Sequence, residues 1–224
     1  MAIVVGTVTT GYTLASSITF SHTVADGSDR FLFVGVEFCL DDGPSQVNSI
    51  TYAGVSLVKK GSSSHSGDCR SEIWYLVAPV VGTANIVVTF DAAASLGAVA
   101  GAIDFSGVHQ TVPLGTFAAA NGVSSTPTVN VTSASGELVE DSCAAHDRTL
   151  TAVGGGQTQD WNVGLVEDIS GGASHENGAA TVTMSWTMSG SDDWATCAVS
   201  VKPASSAEEF PFYARKRTDI LLRI

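Results

Sequence analysis

Residues 86–90 (Ile-Val-Val-Thr-Phe) place Ile86, Val88 and Phe90 alternately with Val87 and Thr89, the period of a half-buried strand. After a turn of small residues, Val99, Gly101, Ile103 and Phe105 alternate again, as the return strand of a hairpin does. The same layout recurs near the end of the chain. Val182, Met184 and Trp186 precede Ser189-Gly-Ser-Asp-Asp193, and Ala195, Cys197, Val199 and Val201 follow. Phe90 and Trp186, like Phe105 and Val201, lie 96 positions apart. This repeat predicts two related halves whose hairpins, 86–105 and 182–201, hold equivalent places. Phe31, Phe33, Ile86, Phe90, Ile103, Phe105, Trp186 and Val199 are the expected core.

The rest of the chain supplies many short strand patterns and no convincing helical one. Strands are expected over 3–8, with Gly11 as the stop, and over 17–24, where Ile18, Phe20, His22 and Val24 alternate with Ser and Thr. Residues 30–40 are almost wholly apolar, which predicts a strand covered on both faces. Residues 47–52 and 55–60 flank Ala53-Gly54 as a tight hairpin, and 61–68 reads as a Gly/Ser loop before a strand over 72–78. Residues 107–126 read as the crossover between halves. Further strands are expected over 128–131, 137–145, 149–153, 157–161 and 164–169, with a Gly-rich loop at 171–178. The prediction is an all-β protein, an antiparallel, jelly-roll-like β-sandwich over residues 1–203 with a C-terminal extension over 204–224.

Charge sharpens that boundary. Residues 204–209 read as a linker, and 210–224 as a basic, apolar arm. The arm holds Arg215, Lys216, Arg217 and Arg223, four of the ten Lys and Arg residues, against Asp219 alone. Residues 1–209 then carry 6 basic and 21 acidic side chains. The net charge of −12 argues against nucleic acid as a partner of the body. No apolar run approaches the length of a membrane helix, and the N-terminus has no basic and apolar blocks of a signal peptide, so neither membrane nor export is expected. Both ends are expected to be held in place.

Candidate chemistry is thin. The cysteines (Cys39, Cys69, Cys143, Cys197) form no C-x-x-C pair and are expected to be free thiols. His65-Ser-Gly-Asp-Cys69 lacks a second ligand pair, His146-Asp147 lacks a nucleophile motif, and Asp41-Asp42 and Asp192-Asp193 match no calcium loop. Gly154-Gly-Gly156 opens no helix, and Asn130-Val-Thr132 fits a glycosylation acceptor that means little without export. No enzyme, cofactor or metal is expected. Trp74 and Trp186 are assigned to the core. Trp161 and Trp194 sit near loops, where they could stack on sugar rings as a carbohydrate-binding module or adhesin would. The arm offers Phe210, Phe212, Tyr213, Arg215, Lys216, Arg217, Ile220, Leu221 and Leu222 to a partner.

Ser17-Ile-Thr-Phe-Ser-His-Thr-Val24, Asn48-Ser-Ile-Thr-Tyr-Ala-Gly-Val55, Glu72-Ile-Trp-Tyr-Leu-Val-Ala-Pro79, Ala102-Ile-Asp-Phe-Ser-Gly-Val108 and Ala180-Thr-Val-Thr-Met-Ser-Trp186 resemble a non-catalytic β-sandwich module. That module occurs in phage virion proteins and bacterial extracellular proteins. The resemblance spans roughly 17–203 and implies a fold and a setting, with no functional residues to carry over. With the arm and no expected export signal, it implies a phage virion protein assembled in the host cytoplasm. The expected role is capsid decoration (cement), or else a tail or neck fibre component. The expected partners are capsid or tail subunits and further copies of the chain.

Overall fold

Strand β3 (Phe31–Cys39) is buried along its whole length, so sheet must cover it on both faces. The computed structural model describes residues 2–39, 46–66 and 69–205. Among these residues there are seventeen strands and no helix. The first half contains β1 (Val4–Thr13), β2 (Ser17–Val24), β3, β4 (Val47–Tyr52), β5 (Val55–Ser56), β6 (Val58–His65), β7 (Cys69–Val77), β8 (Gly82–Phe90) and β9 (Ala98–Ser106). The second contains β10 (Leu114–Ser124), β11 (Thr128–Val131), β12 (Leu138–His146), β13 (Leu150–Val153), β14 (Thr158–Val166), β15 (Ile169–Asn177), β16 (Val182–Met188) and β17 (Asp192–Val201).

Each half is an antiparallel sandwich. In the first, a β1-β9-β3-β7-β6 sheet packs on a β2-β8-β4-β5 sheet. In the second, β10-β17-β12-β15-β14 packs on β11-β16-β13. The orders correspond strand for strand, except that among the described residues the second half has no counterpart of β5. β8 lies between β2 and β4 just as β16 lies between β11 and β13, and β9 lies between β1 and β3 just as β17 lies between β10 and β12. The two hairpins thus occupy equivalent places.

Pleat parity separates the core into layers. Leu32, Val34, Val36 and Phe38 meet Ile18, Ile50, Tyr52, Ile86, Val88 and Phe90 inside the first sandwich. Their neighbours Phe31 and Phe33 point the other way and join Ile103, Phe105, Leu138, Trp161, Cys197 and Val199 between the two five-stranded sheets. Val131, Val182 and Met184, with Leu150 and Trp186, fill the second sandwich. The result is a stack of four sheets, and all eight expected core residues are buried.

The two halves meet as a two-fold dimer would. β3 packs on β12 and β15 while β12 packs on β3 and β7, and β1 packs on β14 while β10 packs on β6. Close approach of the sheets demands small side chains, and here the structure departs from the sequence expectation. The loop expected at 171–178 is strand β15, because a Cβ on Gly171 would stand 2.8 Å from Glu37 Oε2 and one on Gly172 2.8 Å from the Trp186 ring. The expected 61–68 loop continues β6 as far as His65, with Gly61 lying directly beneath the Phe117 ring. The crossover at 107–126 contains β10, an eleven-residue strand built on Ala118, Ala119 and Ala120. Strands expected at 157–161 and 164–169 are one strand, β14, and β1 runs past Gly11 to Thr13.

The hairpin at Ala53-Gly54 is present, with φ of 50° and 78° as a tight two-residue turn requires. Its second arm divides: β5 stays in the small sheet and β6 crosses to the five-stranded one. At the far end Pro203 bridges to Val108 and the Ala204 N–H donates to Gly107 O, so the fold extends one residue beyond the expected boundary.

Candidate functional site

The arm residues Phe210, Phe212, Tyr213, Arg215, Lys216, Arg217, Ile220, Leu221 and Leu222 lie outside the described residues, as do Asp41 and Asp42. The two tryptophans expected near loops, where they could stack on sugar rings, lie within strands. Trp161 is in β14 and 4 % exposed; its ring lies over Gly101 and faces Phe33 at 6.3 Å. Trp194 is in β17 and 7 % exposed, and its Nε1 donates to Ser124 Oγ at 2.9 Å. Neither presents an open face to a sugar: Trp161 fills the space over Gly101 of the facing sheet, and Trp194 lies against Gly122, its partner on the neighbouring strand. Trp74 and Trp186 are buried as expected.

The unexpected feature is the number of acids inside the stack. Glu37 is fully buried between the five-stranded sheets and accepts a hydrogen bond from Ser142 Oγ at 2.7 Å. Ser142 in turn meets Ser71 Oγ at 2.9 Å. Burial outweighs the Ser142 bond and holds the Glu37 carboxyl well above its ordinary range. Glu72 is compensated differently, by Lys59 at 2.8 Å, by Arg70 Nε at 2.7 Å and by Trp74 Nε1 at 2.9 Å. Asp141 accepts from the Ser174 N–H and hydroxyl and from Trp186 Nε1. Burial nevertheless pushes it up to about 7. Asp104 caps the backbone N–H groups of Thr7 and Ala25 and lies 3.7 Å from His22, whose ring burial holds below its usual range.

Two regions gather metal-ligating groups. At one end of the stack His65 of the first half meets Asp193 of the second at 3.1 Å, beside a His146–Asp192 contact of 3.3 Å and an Arg148–Asp192 contact of 3.2 Å. Here His65 turns toward Asp193, while Cys69, its cross-strand partner, is buried opposite Cys39. His146 takes Asp192 as its partner, with Asp147 and Asp168 nearby. Burial raises the Asp192 carboxyl, but the Asp193 N–H, His146 and Arg148 outweigh it and hold it low.

The second region is interior. Glu140 (β12), Asp160 (β14) and His175 (β15) bring one ligand atom each within 4.8 Å of one another. His175 Nδ1 lies 2.8 Å from Asp160 Oδ1. Asp160 reaches this position because β14 bulges between Gln159 and Trp161, which re-aims the extra residue.

Sequence reasoning passed over Glu140 and Asp141. The signal was present, since two adjacent acids interrupt an otherwise apolar strand that must be covered on both faces. Shallow grooves also mark the surface. One of about 370 Å3 is lined by Ala2, Ile3, Leu138, Asn177 and Pro203, and one of about 200 Å3 lies beside Asp29, His109 and Ser205. All four cysteines are buried and none is in a disulfide, as expected. No family model matches the chain, and no curated protein or solved structure is detectably similar to it.

Proposed function

We propose that this protein is a structural component of a phage particle, a capsid decoration (cement) protein or another surface component, attached through its C-terminal arm. The observation that carries the reading is where the arm begins. Pro203 and Ala204 are pinned to Val108 and Gly107, so the described chain is held to the four-sheet body up to the point where the arm's sequence follows. The strand orders support a jelly-roll reading of each half: β1-β9-β3-β7 faces β2-β8-β4-β5, an arrangement at home in capsid and lectin domains. Fold alone does not give function, so the arm's chemistry carries the rest.

That chemistry suits strand addition. Ile220, Leu222 and Ile224 alternate with Leu221 and Arg223, and Arg215, Lys216 and Arg217 would meet an acidic body. The smaller sheet of the second half supplies a receiving edge. In the first half β5 pairs with β4, whereas among the described residues the equivalent strand β13 pairs with β16 alone. Assembly of copies, or docking on capsid or tail subunits, then proceeds by an arm completing a neighbour's sheet in the host cytoplasm. Structure determination of the assembled particle tests this. Residues 206–224 in contact with another chain support it, and an arm folded on its own body refutes it.

A further inference from the structure

We propose that Glu140, Asp160 and His175 form a buried site for a divalent transition cation of the zinc class. The three residues occupy positions that the first half fills with other chemistry. Glu140 pairs with His175 and Val199 in the second half, and Phe33 pairs with Tyr75 and Ile103 in the first. Asp160 is the bulged residue between Gln159 and Trp161, and Lys60 is the bulged residue between Lys59 and Gly61. The counterparts of the trio are therefore Phe33, Tyr75 and Lys60. Two aromatic residues at one pair of sites and an acid with an imidazole at the other are a coordinated difference, and the bulge adds a second carboxylate in the same place.

Glu140 is the group that calls for a ligand. It is 0 % exposed, and neither carboxylate oxygen has a hydrogen-bond donor. Its close neighbour is the Asp160 carboxylate, itself an acceptor and only 4 % exposed. Leu138, Trp161 and Ala173, which flank the trio along the three strands, belong to the apolar layer with Phe31, Phe33 and Phe105. A bare carboxylate in such surroundings is costly and is stabilised by a proton or by a cation. A proton on Glu140 could bridge one oxygen to Asp160, but it would leave the other bare. A cation neutralises both carboxylates at once and takes the His175 nitrogen as well.

The donor set selects among cations. One imidazole nitrogen with two carboxylates suits zinc and its neighbours over calcium or magnesium, which prefer all-oxygen shells. Three protein ligands leave the fourth zinc position to water.

The test uses the full chain stripped with a chelator and titrated calorimetrically with zinc chloride. The expected result is one equivalent bound, with affinity lowered about 100-fold or more in Glu140→Gln and in His175→Gln, beyond the loss seen for outer-shell partners. The double variant His65→Gln/His146→Gln, which disables the end cluster, is expected to bind as the parent does. Cobalt substitution gives a separate readout, with visible ligand-field bands in the parent that are absent from Glu140→Gln. Metal-free Glu140→Gln is expected to melt no lower than the metal-free parent, since the amide needs neither a proton nor a cation to stay neutral. If that variant fails to fold, His175→Gln decides, its side chain being 17 % exposed. Absence of saturable binding up to about 1 mM zinc, or binding that survives both single variants, overturns the site. So does binding lost in the His65/His146 double variant.

Discussion

Gly35 in β3 and Ser142 in β12 hold the same place in the two halves and meet across the interface between them. Gly35 lies opposite Gly101 and Ser142 opposite Cys197, which are 96 positions apart, and a Cβ on Gly35 would stand 2.9 Å from Ser142 Oγ. A residue that touches its own counterpart marks a two-fold axis, so the body is built as an isologous dimer joined into one chain. The joining has let the two copies diverge. Trp161 of the second half fills the space over Gly101, and its counterpart in the first half is Gly61, covered instead by Phe117.

Gly101→Ala is therefore expected to destabilise the protein by about 1–3 kcal/mol or more, because its Cβ would overlap the Trp161 ring. Chemical denaturation measures the loss. Combining it with Trp161→Phe is expected to cost less than the two separate changes together, the sign of a shared contact. Full additivity would mean that the ring and the glycine do not interact.

Phe90→Ala and Trp186→Ala are each expected to cost about 3–5 kcal/mol, the range for a large buried aromatic. Trp186→Phe isolates a second contribution. It keeps most of the volume but removes the donor to Asp141 Oδ2, and is expected to cost about 1–3 kcal/mol.

Asp141 makes a pH prediction with a definite sign. Its carboxyl is raised to about 7 in the folded state, so the native protein binds more protons than the unfolded chain between about pH 4 and 7. Stability should then fall as pH rises through that window and level off above it, by roughly 4 kcal/mol at most for this group. Glu37 and Glu140, also raised, act in the same direction. Denaturation midpoints at pH 5 and pH 8 give the slope. Asp141→Asn should reduce it by this group's share, and an unchanged slope would place the linkage elsewhere.

The four thiols provide a simple check on packing. All are buried, and burial pushes Cys197 up to about 12 and Cys143 well above its usual value. A thiol reagent should find almost none in the native protein and all of them in denaturant.

What could be read from the chain was set by alternation. The 86–105 and 182–201 hairpins announce themselves because one face of each smaller-sheet strand is wet and the other dry, and β3 because both of its faces are dry. Strands β6, β10 and β15 were hidden by glycine, serine and alanine, which normally mark loops. Here those residues let neighbouring layers approach, as Gly171 does under Glu37. Trp161 and Trp194 were expected near loops, and the glycines that their rings cover, Gly101 and Gly122, lie far away in sequence, so no local pattern signals that packing. The Glu140, Asp160 and His175 cluster depends on a bulge and on three strands far apart in sequence, which periodicity does not reveal.

Attachment through the arm is most directly tested by a chain ending at Ser205, a cut that retains the Ala204 bond to Gly107. Its melting temperature and its occupancy on assembled particles are measured beside those of the full chain. The account predicts an unchanged melting temperature and lost occupancy. Normal occupancy of the shortened chain would contradict it and assign the contact to the surface of the sandwich.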